Sequence, residues 1–109
     1  MYDKDNITTQ MKKGILEYMI LMIINKWEVY ASDIIGLLQS NNLLIVEWTL
    51  YPLLSRLKKD WLLAYSRVES PSGPPRKYYK LTTQGKEILQ MMWSIRDQLS
   101  KTISSIKHI

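Results

Sequence analysis

The stretch Val46-Glu47-Trp48-Thr49-Leu50-Tyr51-Pro52-Leu53-Leu54-Ser55-Arg56-Leu57-Lys58-Lys59 decides the fold of this chain. Val46, Leu50, Leu53, Leu54 and Leu57 recur at i, i+4, i+7, i+8 and i+11, which puts them on one stripe of a helix from about Val46 to Lys59. Opposite that stripe fall Trp48, Ser55 and Lys59, with Tyr51 and Arg56 on the flanks, so the outward face is aromatic, hydroxylic and basic. Pro52 lacks a backbone donor and predicts a bend or a loosened first turn. After Trp61 the pattern turns extended: Leu62 to Val68, a stiff loop Ser70-Pro71-Ser72-Gly73-Pro74-Pro75, then Arg76 to Leu81. This reads as a β-hairpin. In its second strand Tyr79 and Leu81 share one face while Arg76, Tyr78 and Lys80 share the other. Arg67, Arg76 and Lys77 flank the tip.

Two helices precede this stretch. From Lys12 to about Lys26 the residues Ile15, Leu16, Met19, Ile20, Ile23 and Ile24 keep helical spacing, and Leu21 and Met22 widen the apolar face, so neighbours must cover it on several sides. Ala31 to Gln39 gives a short second helix with Ile34, Ile35, Leu37 and Leu38 inward, stopped by Ser40-Asn41-Asn42. A last helix begins near the N-cap Thr82 and carries Ile88, Met92, Ile95, Leu99, Thr102 and Ile106 at alternating steps of four and three. That seam is longer than a small core needs. A second copy of the chain is its simplest partner, and packing within one chain is the alternative. The ends, about residues 1–10 and 105–109, are expected to fray.

Composition narrows the chemistry. The 109 residues suit a single domain with one core, and no repeat or linker divides them. There is no cysteine, and His108 is the only histidine, so no disulfide, metal site or cofactor is expected. No Gly-rich phosphate loop and no suitably spaced carboxylate pair is present, which argues against an enzyme. The acidic start Met1-Tyr2-Asp3-Lys4-Asp5 is unlike a signal peptide, and the longest apolar run, Tyr18 to Ile24, is too short to span a bilayer. A cytoplasmic protein is expected. The formal charge of +5 is unevenly placed: residues 1–54 carry four basic and six acidic side chains, residues 55–109 eleven and four. The helix and hairpin at 55–80 account for the whole excess, and a polyanion is the leading partner, with solvated surface charge as the bland alternative.

Three helices followed by a two-stranded hairpin is the order of a winged helix-turn-helix. The expected fold is therefore mainly α with a small β-hairpin, residues 11–81 forming a winged-helix DNA-binding domain and residues 82–109 a C-terminal dimerisation helix. In that architecture the third helix enters the major groove, and both elements that touch DNA are the basic ones here.

Three motifs sharpen this reading. Met11-Lys12-Lys13-Gly14-Ile15-Leu16-Glu17, Thr49-Leu50-Tyr51-Pro52-Leu53-Leu54 and Gly73-Pro74-Pro75-Arg76-Lys77-Tyr78-Tyr79-Lys80-Leu81-Thr82 stand in an order and spacing that resembles the PadR-like regulators over roughly residues 11–100. The resemblance implies a homodimer that binds a double-stranded DNA operator and represses transcription until a small-molecule effector relieves it. Thr49 and Tyr51 match DNA-backbone contacts, and Arg76 and Lys77 match the basic start of the second wing strand. Ser55, Arg56 and Lys59 join the candidate interface by helical geometry alone. Tyr51 has a second reading, a packing residue at the edge of the core. Val46 and Trp48 depart from the small residues common before this helix, and Trp61 replaces a frequent Gly after it, removing the easiest left-handed cap.

Trp93 lies off the seam of the last helix and resembles a tryptophan that some PadR-like sensors use to stack a planar aromatic effector between subunits. Met92 and Met19, with Met91, are the candidate companions of Trp93 in such a cleft. The alternative is ordinary packing, with Trp93 against the partner's first helix and the methionines as adaptable filler. For dimerisation the candidates are Ile88, Met92, Ile95, Leu99 and Ile106. A winged-helix protein-interaction module without DNA binding is the rival function.

Overall fold

The computed structural model describes residues 2–109. Five helices and three short strands follow one another as α1 (Lys4–Lys12), α2 (Ile15–Lys26), β1 (Val29–Tyr30), α3 (Ala31–Ser40), α4 (Glu47–Lys59), β2 (Leu63–Val68), β3 (Arg76–Leu81) and α5 (Thr83–Lys107). The helix of the opening stretch is therefore α4, and the hairpin β2–β3 is the wing of a winged helix-turn-helix.

Apolar burial holds the layers together. Ile20, Leu21 and Ile24 of α2 meet Ile34 and Leu38 of α3, Leu50, Leu54 and Leu57 of α4, Leu63, Tyr79 and Leu81 of the sheet, and Leu89 of α5 in one cluster. The stripe on α4 is buried at Leu50, Leu54 and Leu57, whereas Leu53 is half-buried and Val46, the N-cap residue, is exposed. On α2 the inward set is rotated from the expected one: Leu21 is fully buried and Ile23 only partly so. The helix lies between α5 and β3, so its buried arc follows those two neighbours.

The sheet has one strand more than the hairpin. Its order is β1-β3-β2, all antiparallel, with Val29 opposite Tyr79 and Tyr30 opposite Tyr78. Two residues carry no readable period, so β1 is invisible to alternation arguments. The hairpin register pairs Leu63 with Leu81, Tyr65 with Tyr79 and Arg67 with Lys77.

The two ends expected to fray are largely helical within the described residues, and Met1 lies outside them. Asp3 caps α1, its carboxylate accepting from the Asn6 N–H at 2.8 Å, and α5 continues to Lys107. Neither stretch is held by burial: α1 buries no residue, and every residue of α5 after Met92 is exposed. The expected single helix from Lys12 is broken at Gly14, whose φ of +81° is a left-handed conformation that side chains disfavour.

Two helices end in the same way. At the end of α4 the Leu62 N–H donates to the Leu57 carbonyl and the Trp61 N–H to that of Lys58, with Trp61 at φ +65°. At the end of α3 Leu43 donates to Leu38 and Asn42 to Gln39, with Asn42 at φ +66°. Each is a Schellman cap. The absence of glycine at position 61 does not prevent the cap. Trp61 takes the left-handed position itself.

The start of α5 is locked onto the α4–β2 junction. The Thr82 hydroxyl accepts from the Gly85 N–H at 2.9 Å and donates to the Trp61 carbonyl at 2.6 Å, while the Thr82 N–H reaches the Leu62 carbonyl. A Cβ on Gly85 would stand 2.1 Å from that same Leu62 oxygen, so only glycine fits this approach.

Candidate nucleic-acid interface

Consecutive residues of a strand face opposite ways, and this divides Arg76 from Lys77. Arg76 lies on the outer face with Tyr78. Its guanidinium stacks over the Tyr30 ring at 3.9 Å and donates to the Ser32 hydroxyl at 2.9 Å, while Tyr30 and Tyr78 pack ring to ring at 4.9 Å. Lys77 lies on the inner face with Tyr79, its ammonium 4.8 Å from the centre of the Tyr65 ring. Lys58 approaches that ring from α4 at 5.1 Å. Hydrogen bonding from Arg67, together with the charges of Lys77 and Lys58, holds the Tyr65 hydroxyl below the usual phenol range. Burial pushes the Tyr79 hydroxyl the other way.

Aromatic faces thus seat cations from two elements, α4 and β3. Cation–π contact of this kind is weak at an exposed site, about 0.5–1 kcal/mol, but it orders long side chains that would otherwise sweep a wide volume. No carboxylate lies within ion-pair distance of Lys58, Arg67, Arg76 or Lys77 among the described residues, where the ion pairs are Arg56 with Glu17 and Arg96 with Asp97. The positive charge is uncompensated.

Tyr51, Arg76 and Lys77 come together around a shallow cleft of about 400 Å³ between the tip end of the wing, the start of α3 and the first turns of α4, closed by Pro74, Pro75 and Glu47. Ser55 and Lys59 are exposed on α4, as its helical phase requires. Two candidates lie elsewhere. Arg56 turns toward α2 and pairs with Glu17, and Thr49 is half-buried beside a second cleft lined by Trp48, Pro52, Leu53 and Leu16. Trp48 itself is 78% exposed. Sequence reasoning missed Lys58, Tyr65, Tyr30 and Ser32 as members of this surface. Alternation does put Tyr65 and Lys77 on one face of the hairpin once its register is known, but the contact of Arg76 with Tyr30 and Ser32 depends on β1, which has no sequence signature.

The candidates for the effector and for dimerisation sit along α5. Met19 of α2 and Met92 of α5 are half-buried against the core, and Trp93 is 48% exposed. Ile88 is half-buried against the same core, whereas Ile95, Leu99 and Ile106 are exposed, and Ile103 adds to their apolar strip. Among the described residues no helix is long and apolar enough to cross a membrane.

Similarity to known proteins agrees with this geometry. A comparison with curated proteins returned no match. Among solved structures, a PadR-like transcription factor from Bacteroides fragilis is 50% identical, with a TM-score of 0.81, covering 93% of this chain and 98% of that one. A PadR-like transcriptional regulator from Bacillus cereus is 36% identical, with a TM-score of 0.77, covering 89% and 95%. Bacillus subtilis PadR in complex with operator DNA shares the fold at 23% identity and a TM-score of 0.67, covering 73% of this chain and 46% of that one. Residues 20–91 match the transcriptional regulator PadR-like family, and with the half-identical relative spanning nearly the full length, the chain belongs to that family of transcriptional regulators, which are not enzymes.

Proposed function

We propose that the chain binds a double-stranded DNA operator as a homodimer and represses transcription until a small aromatic effector is bound. The observation that carries the DNA reading is the set of cations on α4 and the wing that no carboxylate neutralises, ordered by tyrosine rings. Bacillus subtilis PadR, with the same fold, is in complex with operator DNA, which supports the same use of these elements here. In this reading α4 enters the major groove, with Tyr51, Ser55 and Lys59 toward the duplex. Arg76 and Lys77 meet phosphates from the wing, Thr49 lies at the edge of the contact, and Arg56 contributes only after leaving Glu17. Residues 11–81 are the reading unit and residues 82–109 the dimerisation helix.

The exposed strip Ile95, Leu99 and Ile106, continued inward by Ile88 and Met92, is the surface offered to the second copy. Exposed apolar rows of this length on a soluble chain mark association surfaces. Pairing there brings Trp93, Met92 and Met19 of each copy close to the junction, where a planar aromatic molecule can stack.

A gel mobility shift of a duplex from the chain's own promoter, run over a series of salt concentrations, tests the DNA reading. Affinity should fall with salt at a slope near −0.9 for each phosphate contact. A chain that shifts no duplex at any salt is an interaction module of another kind.

A further inference from the structure

The wing's most constrained cation is Arg76, and the groups that constrain it lie outside the wing. Tyr30 closes β1 and caps α3, and Ser32 is the second residue of α3. From these positions the Tyr30 ring supports the guanidinium from beneath at 3.9 Å and the Ser32 hydroxyl accepts one of its N–H groups at 2.9 Å. Guanidinium carries five donors in a fixed fork, so one hydrogen bond leaves the others open. Ser32 and Arg76 are both exposed, and no acid engages Arg76 among the described residues. A purely structural arginine would be expected to spend its charge on a carboxylate. This one is held still with its charge unspent.

We infer that Tyr30 and Ser32 are positioning residues for DNA binding, which fix the Arg76 guanidinium in the orientation that receives a backbone phosphate and so tie the wing to the start of α3. The inference rests on the DNA reading above. Its physical content is preorganisation: an arginine ordered before the encounter loses less rotamer freedom on binding than a free one. The tether adds no charge of its own. Loss of Arg76 and loss of its supports therefore have different signatures. Removing Arg76 removes one phosphate contact from each copy and lowers the salt slope by about 0.9 for each of them. Removing a support leaves the charge in place, so affinity falls while the slope stays.

The test is a fluorescence anisotropy titration of a labelled duplex from the chain's own promoter, over a range of salt, with the full-length protein and the variants Tyr30→Leu, Tyr30→Phe, Ser32→Ala, Arg76→Ala and the double variant Tyr30→Leu with Arg76→Ala. Tyr30→Leu should bind about fivefold more weakly with an unchanged salt slope, the loss expected from freeing one long side chain. Tyr30→Phe keeps the ring and should restore binding. Ser32→Ala, at an exposed position that the fold does not need, should weaken binding by a smaller factor. In the Arg76→Ala background Tyr30→Leu should cost nothing further. Wild-type affinity in both Tyr30→Leu and Ser32→Ala, or an equal loss from Tyr30→Leu with and without Arg76, overturns the tether while leaving DNA binding intact. Absence of salt-dependent binding by the wild type overturns the DNA reading itself, and this inference with it.

Discussion

Trp61 holds a backbone conformation that its side chain disfavours, because at φ +65° the Cβ crowds the following carbonyl. It persists because the Schellman cap satisfies two carbonyls at the end of α4 and because Thr82 donates to the Trp61 carbonyl from the other side. With 74% of the residue exposed, its burial offsets little of that cost. Trp61→Gly should therefore raise stability by about 1 kcal/mol in chemical denaturation. A destabilised variant would show that the indole makes contacts worth more than the strain. Gly85 presents the opposite case. A methyl group there has nowhere to go but into the Leu62 carbonyl, and Gly85→Ala should cost about 1–3 kcal/mol, read as a lower midpoint in the same denaturation. An unchanged midpoint would mean that α5 can shift freely over the α4–β2 junction.

The elements were legible from sequence where a period was long enough to read. The stripe of α4, the hairpin with its Pro/Gly tip, and the Thr82 cap of α5 all follow from spacing and turn chemistry, and each lies within a residue or two of its expected place. What escaped is short or polar. β1 is two residues long, and α1 is a surface helix whose Thr8 and Thr9 hydroxyls donate back to the carbonyls of Lys4 and Asp5, with no buried face to betray it. The surface that α4 and the wing form was legible in its charge but not in its internal order. Which ring seats which lysine, and that Arg56 turns away to Glu17, depends on elements far apart in sequence. At this scale the exposed strip of α5 also makes a prediction. Ile95→Lys with Leu99→Lys should leave the fold unchanged by circular dichroism and convert the species in sedimentation from twice 12.9 kDa to 12.9 kDa. A double-mass species in the variant would place the association surface elsewhere.

For the whole molecule, the structure joins a compact winged helix to a projecting helix, which gives a long axis of 58 Å against a short one of 22 Å. The α5 strip that projects furthest is apolar, and the cations without carboxylate partners sit on the wing and α4. In the proposed homodimer, pairing through the former would set two copies of the latter on one side, as a duplex with repeated grooves requires. The separation of the two halves then fixes the separation of the half-sites. Hydroxyl-radical footprinting of the chain's own promoter tests this most directly. Two protected patches related by two-fold symmetry, about 10 base pairs apart or a multiple of that, are the predicted result; a single unpaired patch, or no protection at concentrations that saturate the mobility shift, would contradict it.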